Sequence, residues 1–177
     1  MTKTVSAADA IVASLIEHGV DTVFGMPRVQ RQFVSCGHQG TLGFGYPTSL
    51  GVKAAFPDRA VVSIAGDGGF MFGIGELATA VQHDLGVVAV VFNNGAFGNV
   101  LLDQRRLYEG REVGARLHNP DFAGVAEAFG AVGYHAGSPE ALQAALTKAL
   151  ADGRPAVIEV TAGLGGTATP WKYLMPR

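Results

Sequence analysis

Gly66-Asp67-Gly68-Gly69, with Asn93-Asn94 following after 24 residues counted from Gly68, is the stretch that decides the fold. Ala60-Val-Val-Ser-Ile-Ala65 is an apolar run of strand length ending at Gly66, and Val87-Val-Ala-Val-Val-Phe92 is a second ending at Asn93. Near-continuous apolar runs of this length are what strands buried on both faces of a parallel sheet look like. Between them, Phe72 to His83 has helical spacing in Leu77, Ala80 and Val81, which predicts a strand-helix-strand unit. A right-handed crossover puts both strand ends on one edge of the sheet. Asp67 and Asn94 are therefore expected to converge beyond the carboxyl ends of the strands, where open α/β sheets bind ligands.

The residue types at that edge suit a hard cation bridging to a diphosphate. Magnesium takes oxygen ligands in near-octahedral geometry and shares its shell with phosphates and water. Asp67 offers a charged oxygen, Asn94 a neutral one, and the backbone carbonyl of Ala96 a third. Gly68 and Gly69 leave N–H groups bare at the head of the following helix, where the dipole favours a phosphate. Either piece alone reads as an ordinary turn. Both together, each after a buried strand, point to a site.

A second glycine-rich loop, Gly40-Thr41-Leu42-Gly43-Phe44-Gly45, leads into a helix beginning near Tyr46-Pro47, with proline in its first turn. Leu42 is the only large aliphatic side chain in the loop. From the residues alone it reads as a plug for the core beneath.

Gly66-Asp67-Gly68 … Asn93-Asn94 resembles the thiamine-diphosphate motif of thiamine-dependent enzymes. The wider text is Gly-Asp-Gly-Gly-Phe-Met-Phe, then Gly-Glu-Leu-Ala-Thr-Ala, then Phe-Asn-Asn-Gly-Ala-Phe-Gly-Asn-Val. It is similar to the acetolactate synthase and 2-oxoacid decarboxylase branch, over about residues 33–162. The resemblance implies magnesium on Asp67, Asn94 and the Ala96 carbonyl. It implies that Gly40 and Leu42 hold the aminopyrimidine, Leu42 as a wedge that bends the cofactor. Gly66, Gly68, Gly69, Phe97 and Gly98 complete the implied cofactor contacts. The implied chemistry is 2-oxo acid decarboxylation or carboligation.

Residues 1–27 are similar to the start of the family's pyrimidine-binding domain. Ser6 is a candidate N-cap for a helix with the apolar stripe Ala8, Ile11, Val12, Leu15 and Ile16. Gly19 ends it, and Val20-Asp-Thr-Val-Phe24 is a short strand. Pro27 to Gln32 then runs straight into Phe33-Val34-Ser35-Cys36-Gly37, as in an internally deleted family member, with the diphosphate-binding domain over 28–177. The family's glutamate, which drives proton removal from the cofactor, has no match: Glu17 lies elsewhere, and Glu76, Glu109 and Glu112 belong to the other domain. The catalytic group is thus unassigned. The resemblance implies either a half-enzyme that needs a separate pyrimidine-domain partner, or a non-catalytic remnant that binds cofactor weakly or serves as an interaction module, with a homo-oligomer or a pyrimidine-domain protein as the expected assembly.

The rest of the chain completes a doubly wound α/β pattern, a mostly parallel sheet with helices on both faces. A helix is expected from Asn119-Pro120-Asp121 to Phe129, a strand at Val132–His135, a helix capped by Ser138 with Leu142, Ala145, Leu146 and Leu150 inward, and a strand at Pro155–Val160. The tail from Gly163, with Trp171, is expected to be irregular. Asp103 to His118, rich in arginine, reads as a solvated face, with a lid over the site as the alternative.

The 25 glycines among 177 residues suit loops that approach a ligand by backbone. A net charge of −2 gives no reason to invoke nucleic acid or a membrane surface. No apolar run nears the roughly 18 residues of a membrane span, and Met1-Thr-Lys-Thr is no signal peptide. The lone Cys36 argues for a reducing compartment, with cytoplasmic residence expected. Cys36 and His38 before the Gly40 loop show no base–nucleophile partner, and the five histidines show no metal-ligand spacing. Gly66-x-Gly68-x-x-Met71 lacks the third glycine of a nicotinamide-binding turn.

Overall fold

The computed structural model describes Thr22–Phe24, Val34 and residues 40–163. The expectations for the N-terminal helix, Glu17, Cys36, His38 and Trp171 lie outside the described residues.

Five strands form one parallel sheet: β1 (Thr22–Phe24), β2 (Val61–Gly66), β3 (Val87–Asn93), β4 (Val132–Ala136) and β5 (Ala156–Thr161), in the order β1-β2-β3-β5-β4. β2 and β3 pair from Val61↔Val87 to Gly66↔Phe92, so the two motif loops leave the same edge side by side. β5 continues that edge with Asn93↔Thr161. Helices α1 (Gly45–Ala55), α2 (Asp67–Met71), α3 (Leu77–Gln82), α4 (Gly98–Leu107), α5 (Phe122–Ala128) and α6 (Pro139–Asp152) connect or flank the strands. The chain passes from β3 beyond β5 to β4 by way of α5, then returns to β5 by way of α6. That reversal puts α5 and α6 on opposite faces, because each crossover is right-handed. It is the doubly wound pattern the sequence predicts.

Alternate residues of each buried strand face the two layers. Val61, Ala89, Val91 and Val157 join Tyr46, Leu50, Phe70, Leu77 and Phe122 in one core. Val62, Val88, Val90 and Ile158 join Leu142, Leu146 and Ala149 in the other. Phe70 is edge-on to Tyr46 at 5.3 Å and to Phe122 at 5.8 Å. Each such pair adds about 0.5–1.5 kcal/mol beyond area burial. The short α2, which begins at Asp67, is thereby pinned between α1 and α5.

The helix expected over Phe72–His83 is broken. α2 stops at Met71, a 3₁₀ turn spans Ile74–Glu76, and α3 starts only at Leu77. A β-carbon on Gly73 would stand 3.0 Å from Pro47, so this turn packs tightly against α1. The C-terminal helices form as expected. Asp121 caps α5 by accepting from the Gly124 N–H, and Ser138 caps α6 by accepting from the Ala141 N–H. Helix α4 lies just after the second motif and has no counterpart in the sequence reading.

Candidate functional site

Asp67 follows Gly66 at the end of β2 and is buried, 2 % exposed. Its two oxygens are treated unequally. Oδ2 accepts from the Gly95 N–H at 2.8 Å, the Ala96 N–H at 3.3 Å and Asn119 Nδ2 at 2.6 Å. Among the described residues Oδ1 accepts only from the Gly68 N–H, at 2.8 Å. A carboxylate has about four acceptor sites, so Oδ1 keeps capacity that Oδ2 has used.

The second motif wraps around the same carboxylate. Asn94 Oδ1 accepts from the Ala96 N–H at 3.0 Å, an Asx turn that fixes the loop. Ala96, 2 % exposed, pairs in antiparallel fashion with Arg116. The bonds of that bridge run from the Phe97 N–H to the Ala115 carbonyl and from the Leu117 N–H to the Gly95 carbonyl. Ala96 is therefore in a non-hydrogen-bonded pair, and its own N–H and carbonyl turn away from Arg116, the N–H donating to Asp67. Asp67, Asn94 and Ala96 are thus brought together as the spacing predicts. Phe97 immediately precedes α4, and Gly98 is its first residue.

Asn93 has a different task. Its Oδ1 accepts from Asn119 Nδ2 at 2.8 Å, and its Nδ2 donates to Glu159 Oε1 at 2.7 Å. Glu159 Oε2 accepts from the Phe122 N–H at 2.8 Å. A continuous chain of hydrogen bonds so ties the ends of β2, β3 and β5 to the head of α5. Asn119 and Glu159 escape the sequence reading. Glu159 did leave a signal, because a carboxylate inside the buried run Ala-Val-Ile-Glu-Val must find partners.

The Gly40 loop docks on the same place. The Gly43 N–H donates to the Gly69 carbonyl at 3.1 Å, and Leu42 Cδ2 would lie 3.8 Å from a β-carbon on Gly69. Gly43 has φ +81°, and its missing β-carbon makes room for Phe72. Leu42 is 48 % exposed. That corrects the reading from the residues alone: Leu42 does not plug the core but projects beside the head of α2. Gly40, at φ +58°, is exposed, and a β-carbon on Gly66 would meet nothing within 4 Å. Helix α2 has only five residues. Its dipole is small, and any anion there would rely on individual N–H groups.

The arginine-rich segment after α4 is exposed and closed on itself. Glu112 takes Arg105 on Oε1 at 2.6 Å and Arg116 on Oε2 at 2.8 Å. The hydrogen bond from Arg105 holds its carboxyl below the usual glutamate range. Topology also assembles what spacing hid. Asp121, His135 and Glu159 place one ligand-type atom each within 4.8 Å of the others. Both Glu159 oxygens already accept hydrogen bonds there and Asp121 caps α5, so the carboxylates serve as caps with the His135 ring beside them. A cavity of about 680 Å³ between α1 and α3, lined by Leu50, Lys53, Glu76, Thr79 and His83 among others, includes none of the residues around Asp67. Among the described residues no helix is long and apolar enough to cross a membrane.

Comparison with known proteins agrees with this geometry. The chain is 41 % identical over 121 residues to acetolactate synthase isozyme 3 large subunit of Escherichia coli, covering 68 % of this chain and 21 % of that protein. It is 34 % identical over 164 residues to the acetolactate synthase large subunit of Buchnera aphidicola from Acyrthosiphon pisum, covering 89 % and 28 %. The chain thus spans roughly a fifth to a quarter of the curated relatives it matches. Thiamine diphosphate-dependent 4-hydroxybenzoylformate decarboxylase of Rhodococcus jostii RHA1 superposes with a TM-score of 0.77 at 28 % identity, over 89 % of this chain and 33 % of its own. Residues 18–160 match the family described as thiamine pyrophosphate enzyme, C-terminal TPP binding domain, and the chain belongs to that family.

Proposed function

We propose that this chain holds thiamine diphosphate through Mg²⁺ and contributes that half of the site to an acetolactate synthase-like enzyme of 2-oxo acids. The observation that carries the reading is the bond from the Gly43 N–H to the Gly69 carbonyl. It joins two motifs far apart in sequence and seats exposed Leu42 beside the head of the helix that begins with Asp67.

The donor set fits a magnesium ion. Asp67 Oδ1 retains acceptor capacity, Asn94 supplies an amide oxygen, and the Ala96 carbonyl is left unpaired by the bridge to Arg116 and offers a third. These are the oxygen ligands magnesium takes, with phosphate and water filling the rest of the shell. The open backbone at Gly66 and Gly69 suits a diphosphate, and Leu42 with Gly40 suits the aminopyrimidine. When bound there, thiamine diphosphate would supply a carbon nucleophile for the carbonyl carbon of a 2-oxo acid, so that the carbon–carbon bond next to it can be broken or formed. The chain's own residues orient it: Asp67 and Asn94 fix one end, Leu42 bears on the other, and Phe97 and Gly98 border the site.

Residues 1–27 are read as a remnant resembling a pyrimidine-domain start and 28–177 as the diphosphate domain. The chain then works with a pyrimidine-domain partner or in a homo-oligomer, in a reducing compartment such as the cytoplasm. The test is calorimetric titration of thiamine diphosphate with and without Mg²⁺, on the parent chain, Asp67→Ala and Asn94→Ala. Mg²⁺-dependent binding is expected to vanish with Asp67→Ala and to weaken with Asn94→Ala while far-UV circular dichroism stays the same. Parent-like binding by both variants would refute the assignment.

A further inference from the structure

Asn119 lies 52 positions from Asp67 in sequence, yet its side-chain nitrogen is shared between Asp67 Oδ2 at 2.6 Å and Asn93 Oδ1 at 2.8 Å. We infer that Asn119 is a positioning residue that decides which oxygen of Asp67 faces the cation. This rests on the magnesium reading above. With Asn119 and two backbone N–H groups on Oδ2, the carboxylate cannot rotate without breaking three hydrogen bonds, and Oδ1 is presented alone.

Two features argue for a role beyond packing. Asn119 is neutral, so it orients the carboxylate without competing with a cation for its charge, as lysine or arginine would. It is also held in place by Asn93, which Glu159 holds in turn. The same side chain therefore registers the end of β2 against the end of β3, the two loops that carry the ligands. Neighbours that hydrogen-bond a ligating carboxylate commonly change metal affinity about 10–100-fold when removed.

A carboxylate locked with one oxygen forward suits small, octahedral Mg²⁺, whereas Ca²⁺ readily takes both oxygens of a carboxylate. The experiment is titration of thiamine diphosphate with Mg²⁺ or Ca²⁺ as sole cation, on the parent, Asn119→Ala and Asn119→Asp, with thermal unfolding of each free and loaded. Asn119→Ala should lose about 10–100-fold in Mg²⁺-supported affinity and much less with Ca²⁺. Asn119→Asp, nearly the same shape but without the donor, should lose at least as much with Mg²⁺. If Asn119→Ala does not fold, Asn119→Ser keeps a hydroxyl donor and should give an intermediate Mg²⁺/Ca²⁺ ratio. Equal losses with both cations, or a melting temperature lowered equally with and without ligand, would overturn the inference and leave the site reading standing. A parent chain that binds with neither cation would overturn both.

Discussion

The ring of Phe97 lies against the backbone of Gly68, 2.5 Å from where a β-carbon on that residue would stand. Leu117 closes the same spot at 3.2 Å. The second glycine of the motif is therefore needed by a protein contact, where the loop between β3 and α5 seats on α2. Gly68→Ala must push the ring aside, and overpacking of this kind costs about 1–3 kcal/mol. Urea denaturation should show that loss, together with weakened thiamine diphosphate binding. An unchanged midpoint would mean that the ring gives way freely.

Leu42 makes the opposite case. It is half exposed, so Leu42→Ala should change stability by no more than about 0.5 kcal/mol, the usual range for surface substitutions. Its effect should fall on the cofactor, as weaker binding in calorimetry. Loss of stability with unchanged binding would return Leu42 to a packing role.

With no matched glutamate in the chain, we expect slow proton exchange at the cofactor's C2 carbon and little carbon dioxide release from pyruvate. A positioned proton-transfer group is typically worth about 10²–10⁴-fold. NMR of the saturated chain measures the exchange. Full enzymatic rates without an added partner would show that another residue here performs the task.

Tyr46 Oη and Ser63 Oγ are buried with no hydrogen-bond partner among the described residues. Tyr46→Phe removes one such hydroxyl, and at neutral pH we expect stability to rise by about 1 kcal/mol. Burial, with Glu76 adding to it, holds the phenol well above its ordinary 10.0. The unfolded chain then ionises first. Titration of this phenol leaves stability untouched below the ordinary tyrosine value and lowers it above that value by about 1.4 kcal/mol per pH unit. Tyr46→Phe should flatten the alkaline fall in stability by that slope, read from urea midpoints across pH. Parallel profiles would contradict it.

Leu42, Met71 and Phe72 leave an apolar rim around the docked loops, Phe72 being 67 % exposed. Such a rim commonly marks an interface. Sedimentation at micromolar concentration should show species heavier than the 18.3 kDa chain, reduced by Phe72→Ser. A clean monomer would count against association.

The central unit was legible because parallel strands covered on both faces carry unbroken apolar runs, and the loops that end them carry their own chemistry. Where tertiary contact overrode local pattern, legibility stopped. The helix expected over Phe72–His83 is interrupted around Gly73, which packs against Pro47, a neighbour supplied by another element. Leu42 reads as core by composition, and only its exposure in the folded chain shows that it faces outward. Asn119 looked like the start of a helix. Asp121 is the actual cap, and nothing local connects Asn119 with the carboxylate that begins α2.

Every group that donates to Asp67 among the described residues is electrically neutral: three backbone amides and one carboxamide. None of them brings a countercharge. On the magnesium–diphosphate reading proposed above, a polyphosphate arriving by itself would meet repulsion there, and we expect the cation to come first or travel with it. The order of addition would then follow from the choice of donors. Stopped-flow traces that begin with free cofactor, and add metal last, should start only when the metal arrives.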